Sequence, residues 1–124
     1  MDKERFSELV VRAVEALPGE FASRLDNVDV VVQDSPTPRQ MRQAGISRDQ
    51  TLLGLYEGVP LTQRDTHYGL VPPDKVTIFQ KPIEAVCRSD DEIVEEIGRV
   101  VRHEIAHFFG IGDERLDEIE EGID

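Results

Sequence analysis

His103, Glu104 and His107 are the residues of this sequence whose types and spacing could do chemistry together. On an α-helix, residues four apart lie on one face with a rise of about 6 Å between them, so imidazoles at 103 and 107 can aim a nitrogen each at one metal ion. A tetrahedral zinc needs further ligands. The same row is interrupted at Gly110, where a helix can stop and turn back. Asp113, three residues past that turn, then brings a carboxylate oxygen to the metal and leaves a fourth position for water, the open arrangement of a catalytic centre. Glu114, Asp117 and Glu118 could replace Asp113, and the turn at Gly110 favours Asp113. Glu104 is the base such a water needs, because it can reach the water without ligating the ion. Of the 3 histidines in 124 residues, two fall in this pattern. From average residue frequencies, a chance H-E-x-x-H arises in on the order of one chain in several hundred of this length. One zinc per chain is the expected cofactor, since Glu104 is placed as a base; two imidazoles and a carboxylate also suit iron, cobalt, nickel or manganese.

These residues need a helix to hold them. Stepping about 100° per residue, Ile93, Ile97, Val100, Val101, Ile105 and Phe108 form one apolar stripe, with Glu95, Arg99 and Arg102 opposite. Glu104 falls within the stripe. An unpaired carboxylate there costs several kcal/mol, so Glu104 is not an ordinary solvated helix residue. Ser89-Asp90-Asp91-Glu92 fits a capping box, which starts the helix at about Asp90 and lets it run to Phe109.

Phe6, Leu9, Val10, Ala13, Val14 and Leu17 repeat at helical spacing and predict a core-facing N-terminal helix, closed by Pro18-Gly19. Phe21 and Leu25 predict a short second helix. The β-branched run from Val28 to Val32 predicts an inner strand. Residues 34–50, with Pro36, Pro38 and Gly45 and few apolar groups, predict a long loop, either a lid over a cleft or a mobile insertion. A second strand is expected over Thr51 to Tyr56 and a third over Lys75 to Gln80, followed by a short helix that Pro82 opens. Leu116, Ile119 and Ile123 sit at nearly helical spacing among acids that form a solvated face. The expected fold is α+β: one domain over residues 1–124, with a small mixed β-sheet packed against the histidine-bearing helix and the N-terminal helix.

Lys plus Arg is 14 and Asp plus Glu is 26, giving a net charge of -12. That charge repels phosphate backbones and anionic membranes, so neither nucleic acid nor membrane is an expected partner. The charged opening Met1-Asp2-Lys3-Glu4-Arg5 and the absence of a long apolar run predict neither signal peptide nor membrane span. The single Cys87 excludes an internal disulfide, suits a reducing cytoplasm, and is expected as a small buried core residue.

The order His103, Glu104, His107, Gly110, Asp113 resembles the elongated zinc-binding motif of metzincin-type metallopeptidases, in the version with Asp as third ligand. More closely, Leu52 to Thr62, Pro73 to Phe79, His103 to Ile111 and Asp113 to Leu116 resemble the small bacterial zincin-like metallopeptidase family, over roughly residues 50 to 120. The resemblance implies a minimal zincin fold and a zinc held by His103, His107 and Asp113. It also implies peptide-bond hydrolysis with Glu104 as general base, on a peptide or protein substrate bound in extended conformation at a sheet edge. It makes Tyr68 or His67 the candidate oxyanion donor. The chain departs from the metzincins in its methionines: only Met1 and Met41 occur, both before the motif, so the Met-containing turn is missing.

Two rival functions are weighed against peptide hydrolysis. A non-catalytic, metal-stabilised binding module would not require Glu104. A bacterial ribosomal-RNA-maturation metalloprotein family shares the 103, 107, 113 ligand spacing, but has no Glu after its first His and uses His as third ligand; the -12 charge also opposes RNA.

Overall fold

Asp2 starts the first helix: its side chain accepts a hydrogen bond from Arg5 N at 2.7 Å, and α1 (Lys3–Glu15) buries Phe6, Leu9, Val10 and Ala13. The computed structural model describes residues 1–26, 28–45, 51–58 and 74–110. After α1 come α2 (Gly19–Ala22), a 3₁₀ turn (Ser23–Leu25), β1 (Val28–Gln33), α3 (Pro38–Gln43), β2 (Gly54–Glu57), β3 (Asp74–Phe79), α4 (Gln80–Val86) and α5 (Asp90–Phe109). The three strands form a mixed sheet in the order β1-β3-β2, with β1 parallel and β2 antiparallel to β3. This is the α+β arrangement the sequence predicts.

Side-chain alternation assigns the two faces of the sheet. Tyr56, Val76 and Ile78 join the main core with Phe6 and Leu9 of α1, Ile83 of α4, and Ile93, Ile97, Val101 and Ile105 of α5. Leu55 and Phe79 project the other way and form a smaller core with Leu52, packed by Met41 and Ala44 from α3 and its end. β3 is therefore the inner strand, with Val76, Thr77, Ile78 and Phe79 all at 0% exposure. β1 was the strand expected inside, yet among the described residues it is an edge. Val28, Val30 and Val32 pack on the main core, while Val31 is 37% exposed. A β-branched run reads the same whether one face or both are covered.

The loop expected over residues 34–50 is also corrected. Thr37, Pro38 and Gln40 build a complete capping box: Gln40 N donates to Thr37 Oγ1 at 3.1 Å, and Thr37 N donates to Gln40 Oε1 at 2.9 Å. Gln40 is buried and also bonds Gln33 of β1 (2.8 Å) and Glu57 of β2 (3.4 Å) through side-chain amides. α3 is thus fastened across the sheet by Gln40; residues 46–50, the rest of the expected loop, lie outside the described residues.

β3 runs straight into α4, which starts at Gln80, two residues before the expected Pro82. Cys87 is half-buried against the edge of the main core instead of inside it. α5 spans the predicted residues. Ser89 Oγ accepts from Glu92 N at 3.2 Å, while the Glu92 carboxylate takes Arg88 N at 2.9 Å, one residue earlier than a capping box predicts. Gly110 closes α5 in the left-handed region at φ 71°. No helix among the described residues is long and apolar enough to cross a membrane.

Burial outweighs capping in holding α5. Ile97, at 0% exposure, sits mid-stripe, and Ile97→Ala is expected to cost about 2–5 kcal/mol. Ser89→Ala is expected to cost about 1 kcal/mol. Urea denaturation of the two variants measures both; a larger loss from the cap would contradict this order.

Candidate functional site

The C-terminal turns of α5 lie beside β2, and one part-buried hydrogen bond joins their polar groups. The backbone N–H of Tyr56 donates to Glu104 Oε1 at 2.9 Å across 48 positions of sequence. Tyr56 lies opposite Val76 of β3 in the antiparallel ladder, and its amide points away from β3. Glu104 lies in the apolar stripe as the sequence indicates, and this edge amide is what receives it there.

The side chain of Tyr56 is held as firmly as its backbone. Its ring stacks on Phe108 with centroids 4.0 Å apart and meets Phe109 edge-on at 6.2 Å. Its hydroxyl donates to Asp74 Oδ2 at 2.8 Å, a buried bond to the first residue of β3. Phe108 was expected at the end of the core stripe; it is 49% exposed. It lies past the body of the core, with Tyr56 as its stacking partner. Arg24 brings its guanidinium over Phe109, 5.0 Å from the ring centroid.

His103 and His107 flank Glu104 along the helix. Their ring centroids are 6.4 Å apart at an interplanar angle of 66°, with His103 half-buried and His107 exposed. The two rings therefore lie on the same side of the helix, as the four-residue spacing requires. Burial pushes the Glu104 carboxyl above the usual carboxylate range; the Tyr56 amide and the neighbouring His107 and His103 pull the other way without cancelling it. Oε1 is taken by Tyr56, which leaves Oε2 without a hydrogen bond among the described residues.

The two imidazoles fit the nitrogen half of a zinc donor set. Among the described residues no cluster of three or more His, Cys, Asp or Glu is assembled. Asp113 and its alternatives Glu114, Asp117 and Glu118 lie outside the described residues, as do His67 and Tyr68. The sequence reading did not single out Tyr56 or Asp74 individually. The one available signal was strand parity, which puts Gly54 and Tyr56 on the same face; the register that sets Tyr56 opposite Val76 comes from the folded sheet.

A model of the zincin-like metallopeptidase family matches residues 25–123. Among solved structures, a conserved hypothetical protein from Thermo thermophilus matches with a TM-score of 0.54 and 20% identity, covering 88% of this chain and 94% of that one. At that identity the likeness speaks for the fold. No curated protein matches the chain.

The raised proton affinity of Glu104 has a defined sign in stability. The folded state holds this proton more tightly than the unfolded one, so folding loses stability as the pH rises from the unfolded value, about 4.3, through the folded one. Gln at 104 keeps an acceptor for the Tyr56 amide and has no charge to bury. With metal removed by a chelator, Glu104→Gln is expected to exceed the wild type in urea stability at about pH 7.5, the gap shrinking toward about pH 4.5. A gap independent of pH would contradict the burial account.

Proposed function

Since this chain belongs to the zincin-like metallopeptidase family, we propose that it is a zinc-dependent peptidase in which His103, His107 and Asp113 hold one zinc ion and Glu104 is the general base. The observation that carries this reading is the setting of Glu104: a half-buried carboxylate beside two imidazoles whose rings lie 6.4 Å apart, with one oxygen fixed by the Tyr56 amide and its proton affinity raised. A zinc held by these residues would supply a Lewis acid and lower the pKa of water to near neutral. Oε2 of Glu104, the oxygen not taken by the Tyr56 amide, would accept a proton from the attacking water, and the same carboxyl would return it to the departing amine. Desolvation favours the protonated carboxyl and so aids uptake, while the Tyr56 bond holds the group in one orientation. A purely structural metal centre has no use for such a base.

The substrate is a peptide or protein segment in extended conformation. Because the Tyr56 amide is committed to Glu104, a peptide laid along β2 is held by groups other than that donor. The net charge of -12 disfavours nucleic acid and anionic membrane as partners. A cytoplasmic location is in keeping with the lone Cys87.

A peptide library incubated with zinc-loaded protein tests the activity, with zinc-loaded Glu104→Gln beside it at equal metal content. The wild type is expected to cleave, and the variant to fall by at least about 100-fold, the lower range for a lost general base. Equal cleavage by both would remove Glu104 from the reaction.

A further inference from the structure

α5 and β2 run side by side in a shared register. Two residues of strand advance about 6.8 Å and four residues of helix about 6.0 Å, so contacts can recur at every second strand residue and every fourth helix residue. Three such contacts occur. A Cβ on Gly54 would stand 2.4 Å from Val100 Cγ1. Tyr56 N bonds Glu104 Oε1 at 2.9 Å. A Cβ on Gly58 would stand 3.0 Å from a ring carbon of Phe108. Glu104 is therefore bracketed, one turn before and one turn after, by places where the helix approaches a glycine.

The two glycines are not equivalent. Opposite Gly58 is an aromatic ring that is 49% exposed and can give way. Opposite Gly54 is Val100, at 6% exposure, a β-branched side chain fixed in its rotamer within the main core. Carbon–carbon contacts settle at about 3.5–4.0 Å, so a methyl at position 54 would drive this part of α5 off β2 by more than about 1 Å. A 2.9 Å hydrogen bond stretched by that much leaves the bonding range of about 3.2 Å. His103 and His107 ride on the same helix and move together.

We propose that Gly54 is a positioning residue for Glu104: by admitting Val100 against β2, it holds the carboxylate on the Tyr56 amide and sets where the base stands in the reaction. This rests on the reading of Glu104 as the base. The neighbouring Thr77 carbonyl oxygen, 3.1 Å from the same Cβ position, needs only a few tenths of an ångström to accommodate a methyl. Val100 is the main obstacle, and removing its methyls relieves the effect.

The test compares the wild type with Gly54→Ala, Val100→Ala, the Gly54→Ala/Val100→Ala pair and Gly58→Ala, all as the full chain. Three quantities are read: zinc per chain, amide hydrogen exchange at Tyr56, and kcat and KM on a peptide that the wild type cleaves. Gly54→Ala is expected to keep wild-type zinc, exchange the Tyr56 amide at least about 10-fold faster, and lose about 10- to 100-fold in kcat with KM within about threefold. Adding Val100→Ala is expected to restore both Tyr56 protection and most of kcat, and Gly58→Ala to have the smaller effect. Wild-type exchange and kcat in Gly54→Ala, or a loss that Val100→Ala does not repair, would overturn the proposal. If Gly54→Ala alone does not fold, a folded double variant with a protected Tyr56 amide supports the proposal, and an unfolded one overturns it. If the wild type cleaves no peptide, the proposed activity fails, while zinc content and Tyr56 exchange still decide whether Gly54 sets this contact.

Discussion

The hydrogen bond from the Tyr56 amide to Glu104 is the joint on which the site depends. It pairs a backbone donor of β2 with a carboxylate set in an apolar stripe, where an unbonded polar group is costly. Each group offsets part of the other's desolvation. A charge-assisted bond of this kind contributes about 1.5–3 kcal/mol, and burial nevertheless holds the Glu104 carboxyl above the usual carboxylate range. The residue is thus fixed in place and inclined to take a proton, two properties that the same burial produces.

Everything around this joint serves to keep α5 and β2 at one distance. On the helix side, Ile93, Ile97, Val101 and Ile105 anchor α5 to the main core, and Gly110 ends it directly after Phe109. On the strand side, β2 is zipped to β3, whose faces are both covered, and α3 clamps the opposite face through Gln40 and Met41. Tyr56 receives support from three directions: its amide on Glu104, its ring on Phe108 and its hydroxyl on Asp74. A strand residue tied to the helix and to the next strand leaves the histidine pair little freedom to drift relative to the sheet.

What could be read from the chain followed the range of the interactions concerned. α5 was legible from Asp90 to Phe109 because a cap, a 3.6-residue stripe and a terminal glycine are all local signals. The histidine pair was legible for the same reason. Glu104 announced itself as a polar residue in an apolar stripe, but its partner lies 48 residues away and is a backbone amide, which carries no residue-type signature. The inner position of β3 and the edge position of β1 depend on which other strands arrive, and four valines in β1 could not report that. The helix α3 was a different kind of miss. Thr37, Pro38 and Gln40 spell a start signal in sequence, but Pro36, Gly45 and the scarcity of apolar residues around them are equally the signature of a loop.

The proposed zinc site takes its three protein ligands from His103 and His107 of α5 and from Asp113. Elemental metal content per chain, measured for the wild type beside Asp113→Ala, tests it most directly. The account predicts close to one zinc per wild-type chain and a marked loss in the variant. Little metal in the wild type, even after incubation with zinc, would contradict it.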